Sequence, residues 1–158
     1  MRVISGLISL MLVSACAQSA PRPDFRAALD AHLSAIAAKD IEAFTPTLTS
    51  RDDLMVIFPN GSAIETTQGV VDFHRDWFAD DQWRMDPKVV KIIEGDDLST
   101  ALLKYDYRDT SDGEPRSSWL VLVFKLEDGA WRLVHDQNTK IIPPAAPAPA
   151  TNPTDETE

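Results

Sequence analysis

Three histidines, His32, His74 and His135, and two tyrosines, Tyr105 and Tyr107, carry most of the acid–base chemistry open to this chain. A histidine titrates close to neutral pH and can pass a proton in either direction. His135 stands in an alternating run with Trp131, Leu133 and Gln137 on one strand face. Half-buried there, it is the candidate catalytic acid or base, although a histidine so placed is more often simply hydrogen-bonded. Asp136 alternates to the opposite face, so the two should not meet as a dyad; Asp136 reads as a structural hydrogen-bond partner near the sheet rim. Tyr105 and Tyr107 share a strand face with Ala101 and Leu103, which suits a pocket wall with hydroxyls aimed inward. Trp77 fills core or touches ligand, and His32 is either a wall residue or a surface histidine. The candidate ligand pocket is therefore His32, Trp77, Tyr105, Tyr107 and His135. The histidines lie on separate elements without H-x-x-x-H spacing, so neither a metal nor a cofactor is expected. There is no G-x-S-x-G, P-loop or G-x-G-x-x-G.

The elements that must hold these residues alternate in a readable way. Asp24 can cap a helix to about Ala38, with Phe25, Ala28, Leu29, Leu33 and Ile36 on its apolar side. Asp40 can cap a short second helix through Ile41, Phe44 and Leu48, limited by Pro46. Leu54–Phe58 reads as a strand, Pro59-Asn60-Gly61 as a turn, and 62–66 as a short return strand. Gly69–Asp80 reads as a helix with Val70, Phe73, Trp77 and Phe78 on its apolar side. Three strands follow the end of another at Val89–Glu94, where Pro87 demands an edge or a bulge. They are 99–109, 118–126 and 131–138, the middle one apolar on both faces like a strand covered on two sides. Helices first and a strand meander after them argue an α+β domain, with helices on one face of a curved sheet.

The ends read differently. Arg2 precedes an apolar run, Val3–Val13, too short to span a bilayer comfortably and laid out like a secretory signal. Val13-Ser14-Ala15-Cys16 resembles the lipobox of bacterial lipoproteins, and Cys16 is the only cysteine. The organisation expected is a lipoprotein signal peptide (1–15), a tether (16–23), a folded domain (24–142) and a disordered Pro/Ala-rich acidic tail (143–158). By the resemblance, Cys16 is lipidated and the chain is held at the cell envelope, with Ala17 favouring the outer membrane facing the periplasm. Several acyl chains on one cysteine would anchor it at about 0.8 kcal/mol per buried CH₂. The net charge of −10 becomes −11 when residues 1–15, with one Arg and no acid, are removed. Long-range attraction to nucleic acid then has the wrong sign.

Three stretches carry a wider resemblance: AHLSAIAAKDIEAF (31–44), the G-x-x-x-h-x-x-x-h-F pattern of Gly69–Phe78, and DGAWRLVHDQNT (128–139). Their order and spacing resemble the SnoaL-like branch of the nuclear-transport-factor-2-like superfamily over nearly all of residues 24–140. The resemblance implies a cone: a curved antiparallel sheet with helices packed on its concave face, a pocket at the wide end, and often a homodimer through the outer sheet face. It also permits a test for ketosteroid-isomerase chemistry. The oxyanion-hole tyrosine falls on His32, the base aspartate on Phe58 and the second donor on about Leu122. Without the base, that proton abstraction is not expected. The reading favoured is a lipid-anchored module binding a small, partly apolar molecule without isomerase-type catalysis. A lyase, isomerase or cyclase using His135 or His32, and a structural dimer module, stand as alternatives.

Overall fold

The computed structural model describes residues 22–144. The signal segment, Cys16, most of the tether and the tail from residue 145 lie outside the described residues. Helix α1 (Phe25–Ala38) begins where Asp24 accepts from the amides of Arg26 at 2.7 Å and Ala27 at 3.3 Å. It buries Phe25, Leu29, His32, Ala35 and Ile36, one stripe at three- and four-residue spacing. It stops at Lys39, which turns left-handed at φ 55°. That conformation is costly for a residue with a Cβ. It is offset by the Lys39 ammonium, 4.1 Å from the Trp83 ring centroid and donating to Asp80 O at 2.6 Å. Asp40 caps α2 (Ile41–Phe44), which tightens into a 3₁₀ turn (Thr45–Thr47) at Pro46.

Strands β1 (Met55–Ile57) and β2 (Ala63–Ile64) precede α3 (Thr67–Ala79). The Thr66 hydroxyl caps α3 by accepting from Gly69 N at 3.1 Å. A Cβ on Gly69 would stand 2.8 Å from that oxygen and 2.9 Å from Ile64 Cγ2, so the cap requires glycine. Then come β3 (Arg84–Glu94), β4 (Leu98–Arg108), β5 (Arg116–Glu127) and β6 (Ala130–Lys140). The six-stranded sheet runs β2-β1-β6-β5-β4-β3. It is antiparallel except where β1 lies parallel to β6, a pairing the chain reaches through the crossover of α3 and the meander. Pro87 sits on the edge strand β3, close to a bulge at Val90.

The helices cover one face of this curved sheet. Phe44, Leu29, Leu54, Phe124, Leu103, Leu122 and Leu133 meet there, fully buried. The strand β5 lies in the sheet interior, but only its inward row (Leu120, Leu122, Phe124) is covered. Trp119 on its outer row remains 38% exposed, so the two-sided cover expected for this segment is not found among the described residues.

One irregularity decides the site. The β5–β6 ladder pairs Val123 with His135 and Phe124 with Leu133, leaving Val134 as an extra residue. Such a bulge shifts the strand's alternation by one. Trp131 and Leu133 point into the core before it, and Asp136, Asn138 and Lys140 point inward after it. His135, paired with Met55 and Val123, is carried to the outer row.

Candidate functional site

A cavity of about 530 Å³ opens between α3, the β1–β2 turn, the later halves of β4 and β6 and the first half of β5. Its apolar wall is built from Ile36, Val56, Phe58, Phe73, Trp77, Met85 and Leu120. Trp77 is held from two sides. Its ring stacks on Trp83 at 4.1 Å and 13°, and its Nε1 donates to Tyr107 Oη at 3.2 Å. Trp83 in turn donates to Trp77 O at 2.7 Å. A wall side chain locked by neighbouring rings loses little freedom when a ligand arrives.

The polar groups converge on one corner. Tyr105 Oη donates to Asn138 Oδ1 at 2.8 Å. Asn138 Nδ2 donates both to Ile57 O at 3.0 Å and to Asp136 Oδ1 at 2.7 Å. Both amide protons and the carbonyl of Asn138 are therefore committed, and its orientation is fixed. The second oxygen of Asp136 has no protein partner among the described residues and belongs to the cavity. Burial pushes the Asp136 carboxyl up to about 7, against the lowering effect of the Asn138 bond. Burial likewise raises the Tyr105 phenol.

His74 also faces the cavity. Its Nδ1 lies 2.8 Å from Val70 O. A carbonyl only accepts, so Nδ1 carries the proton and Nε2 remains an acceptor. Burial depresses His74 to about 4, so the ring is neutral at neutral pH. At the mouth, Arg116 binds Asp109 through both nitrogens and lies 5.3 Å from the Tyr107 ring centroid. Lys140 stands beside it, in no ion pair among the described residues.

Of the five pocket residues expected, Trp77, Tyr105 and Tyr107 come together on this wall. His32 does not reach it. It lies behind the wall, 5.1 Å from Phe44 and 5.6 Å from Phe124 between ring centroids. Its Nδ1 donates at 2.7 Å to Thr47 Oγ1, whose own proton goes to Phe44 O. Burial, then the nearby His74, lowers it to about 3. It is a core histidine because α1's buried stripe runs through it. His135 does not reach the wall either, because the Val134 bulge puts Asp136 in its place. Asp136 is thus a cavity group rather than a rim partner. Sequence reasoning missed His74, Asp136, Asn138 and Arg116. His74 had a signal, since it falls within the Val70–Trp77–Phe78 stripe of α3.

Phe58 lies on the wall where the isomerase pattern needs a carboxylate, and Leu122 is buried core. Among the described residues, no group of three or more His, Cys, Asp or Glu could hold a metal ion.

Comparison with solved structures agrees with this architecture. A ketosteroid isomerase-like protein from Erwinia carotovora atroseptica superposes with a TM-score of 0.61 at 19% identity, covering 75% of this chain and 94% of its own. A nuclear-transport-factor-2-like protein from Cytophaga hutchinsonii gives 0.59 at 20%, covering 73% and 94%. An LEH-like epoxide hydrolase from M. tuberculosis gives 0.57 at 17%, covering 73% and 80%. At these identities the likeness is one of fold. No curated protein matches the chain. The model of the SnoaL-like domain matches residues 25–142, from the first residue of α1 to just past β6. With the cone and its strand order in place, the chain belongs to the SnoaL-like domain family.

Proposed function

We propose that the domain binds a small, partly apolar molecule in the cone, without isomerase-type catalysis. The observation that carries this is the cavity itself: about 530 Å³, within the range of small-molecule sites, aromatic on its walls and polar in one preorganised corner. A cone filled by its own side chains would have left only a structural module. Native mass spectrometry of the purified protein is expected to show a co-purifying ligand, or Trp77 fluorescence to respond to small apolar compounds. A Leu120→Trp variant, which fills the cavity, should abolish that response while remaining folded. An unchanged response in that variant would place the binding elsewhere.

A second reading has one specific support. A carboxyl with a pKa near 7 is suited to both giving and taking a proton. If the domain is a lyase, isomerase or cyclase, its acid–base group is Asp136 rather than His135 or His32. Turnover that tracks a single ionisation near pH 7 and vanishes in Asp136→Asn would support it.

We also propose that Cys16 is lipidated and that the mature chain is held at the envelope membrane. The support is the apolar run and the Val13-Ser14-Ala15-Cys16 sequence. Cys16→Ser should be released from membranes or left unprocessed. A fully processed variant retained on membranes would refute the anchor.

A further inference from the structure

We propose that the cavity's occupant is an elongated amphipathic carboxylic acid, its carboxylate at Lys140 and an acceptor oxygen, such as a ketone, against Asp136. This rests on reading the cavity as a binding pocket and names the class of molecule it takes.

The geometry comes from β6. Past the bulge, Asp136, Asn138 and Lys140 point the same way along one strand. Four residues of strand separate the inner acid from the outer cation, about 13 Å along the backbone. Between them on β6 stands Asn138, whose polar groups are turned to Tyr105, Ile57 and Asp136. The surface facing that stretch is mostly apolar: Leu120 on the sheet side, Phe73 and Trp77 on α3, with the neutral His74 between them. The site thus has its free ionisable groups at the two ends and a largely apolar wall along the middle.

The inner end asks for an acceptor. Asn138 has no donor left to offer, since both its amide protons are used within the protein, and the Tyr105 proton goes to its carbonyl. The second Asp136 oxygen, when protonated, is the donor this corner can still turn to a ligand. Each element packed around the cavity leaves that carboxyl without a counter-charge. Ile36 comes from α1, Val56 from β1, Met85 from β3 and Leu120 from β5, none of them titratable. His74 on α3 is neutral, and burial raises the Tyr105 phenol on β4; Arg116 and Lys140 stand at the mouth. A carboxyl among such neighbours favours its protonated form, and the O–H then needs a ligand oxygen. The outer end asks for an anion. Arg116 is already matched by Asp109, whereas Lys140 is in no ion pair among the described residues. A cationic ligand would have to pass both.

Holding Asp136 protonated makes binding take up a proton above its transition. The test uses an acetylbiphenyl carboxylate, with ketone and carboxylate at opposite ends, its methyl ester, and the ethylbiphenyl lacking both groups. Calorimetry in two buffers of different ionisation enthalpy should give uptake of about 0.9 proton per ligand at pH 8 and about 0.1 at pH 6. Asp136→Asn, which mimics the protonated acid, should bind at least as tightly at pH 8 without uptake. Lys140→Gln, an exposed change, should weaken the acid about 5-fold and leave the ester unchanged. Proton release on binding, no uptake in the native protein, or equal preference for acid and ester would overturn the proposal. If ethylbiphenyl binds as well as the acid, the pocket stands and this class does not. If none of the three binds, both readings fall.

Discussion

A carboxyl whose pKa rises on folding holds its proton longer in the folded state than in the unfolded chain. For Asp136, the ordinary value near 3.8 becomes about 7. Between these values the folded protein binds more protons, so this group's contribution to stability falls as pH rises from about 4 to about 7. His32 and His74 act in the other direction. Their pKa values drop from 6.5 to about 3 and about 4, so stability is lost as pH falls below 6.5. Each group changes stability by about 1.4 kcal/mol per pH unit within its window. Below pH 6.5 two histidines oppose one acid, and the net slope is a loss toward acid. Maximum stability is therefore expected near pH 6.5. Asp136→Asn should stabilise the protein by at most about 4 kcal/mol at pH 8, and by clearly less at pH 5. Urea midpoints at the two pH values check this; an equal gain at both would mean that Asp136 is not protonated by its surroundings.

At the scale of elements, the Val134 bulge converts a strand that would show His135 to the cone into one that shows Asp136 and Asn138. Deleting Val134 should restore strict alternation and force either Leu133 with Trp131, or Asp136 with Asn138, to the outer face. The expected cost exceeds about 3 kcal/mol, comparable to truncating a large core side chain, with loss of the cavity. A loss below about 1 kcal/mol in chemical denaturation would show that the strand tolerates the shift. This is also where sequence reading reached its limit. Caps at Asp24 and Asp40, the Pro46 stop, the edge position of Pro87 and the alternation of Tyr105 and Tyr107 are local signals, and they place α1, α2, β3 and β4 well. A bulge is a mismatch between two strands, written in the pairing of Val123 and Phe124 with β6 rather than in β6 itself. The same holds for the parallel β1–β6 contact. His32 was ambiguous because its helical stripe does not say whether a cavity lies in front of the residue or behind it.

At the scale of the whole molecule, charge is segregated against the overall sign. By register, Arg84, Lys88, Lys91, Lys104, Arg108, Lys125 and Arg132 occupy the outer rows of the sheet. Among the strand acids, Asp86, Asp106 and Glu127 share them, the last already tied to Thr49 and Arg51. A chain of net −10 thus presents a basic sheet face around Trp119, Leu102 and Ile93. Face-to-face pairing of two copies, as the family resemblance suggests, would set these cations against one another. Self-association by that route should strengthen with added salt, as screening shortens the repulsion to about 8 Å at 0.15 M. Sedimentation equilibrium at low and high salt tests it, and association that weakens with salt would exclude this face as the contact.

The chain enters the domain far from the cavity mouth. Pro23 O accepts from Trp131 Nε1 at 3.0 Å, Arg22 lies 5.0 Å from the centroid of the same ring, and its guanidinium donates to Gly95 O. Trp131 and Lys140 stand at opposite ends of β6, nine residues or about 30 Å apart. Cargo fused ahead of Arg22 would therefore sit behind the cone and leave its opening clear, whereas cargo fused just after Lys140 would stand in the doorway. An immobilised form of this domain should accordingly be attached by its leading end, and a reporter meant to sense occupancy by its trailing one.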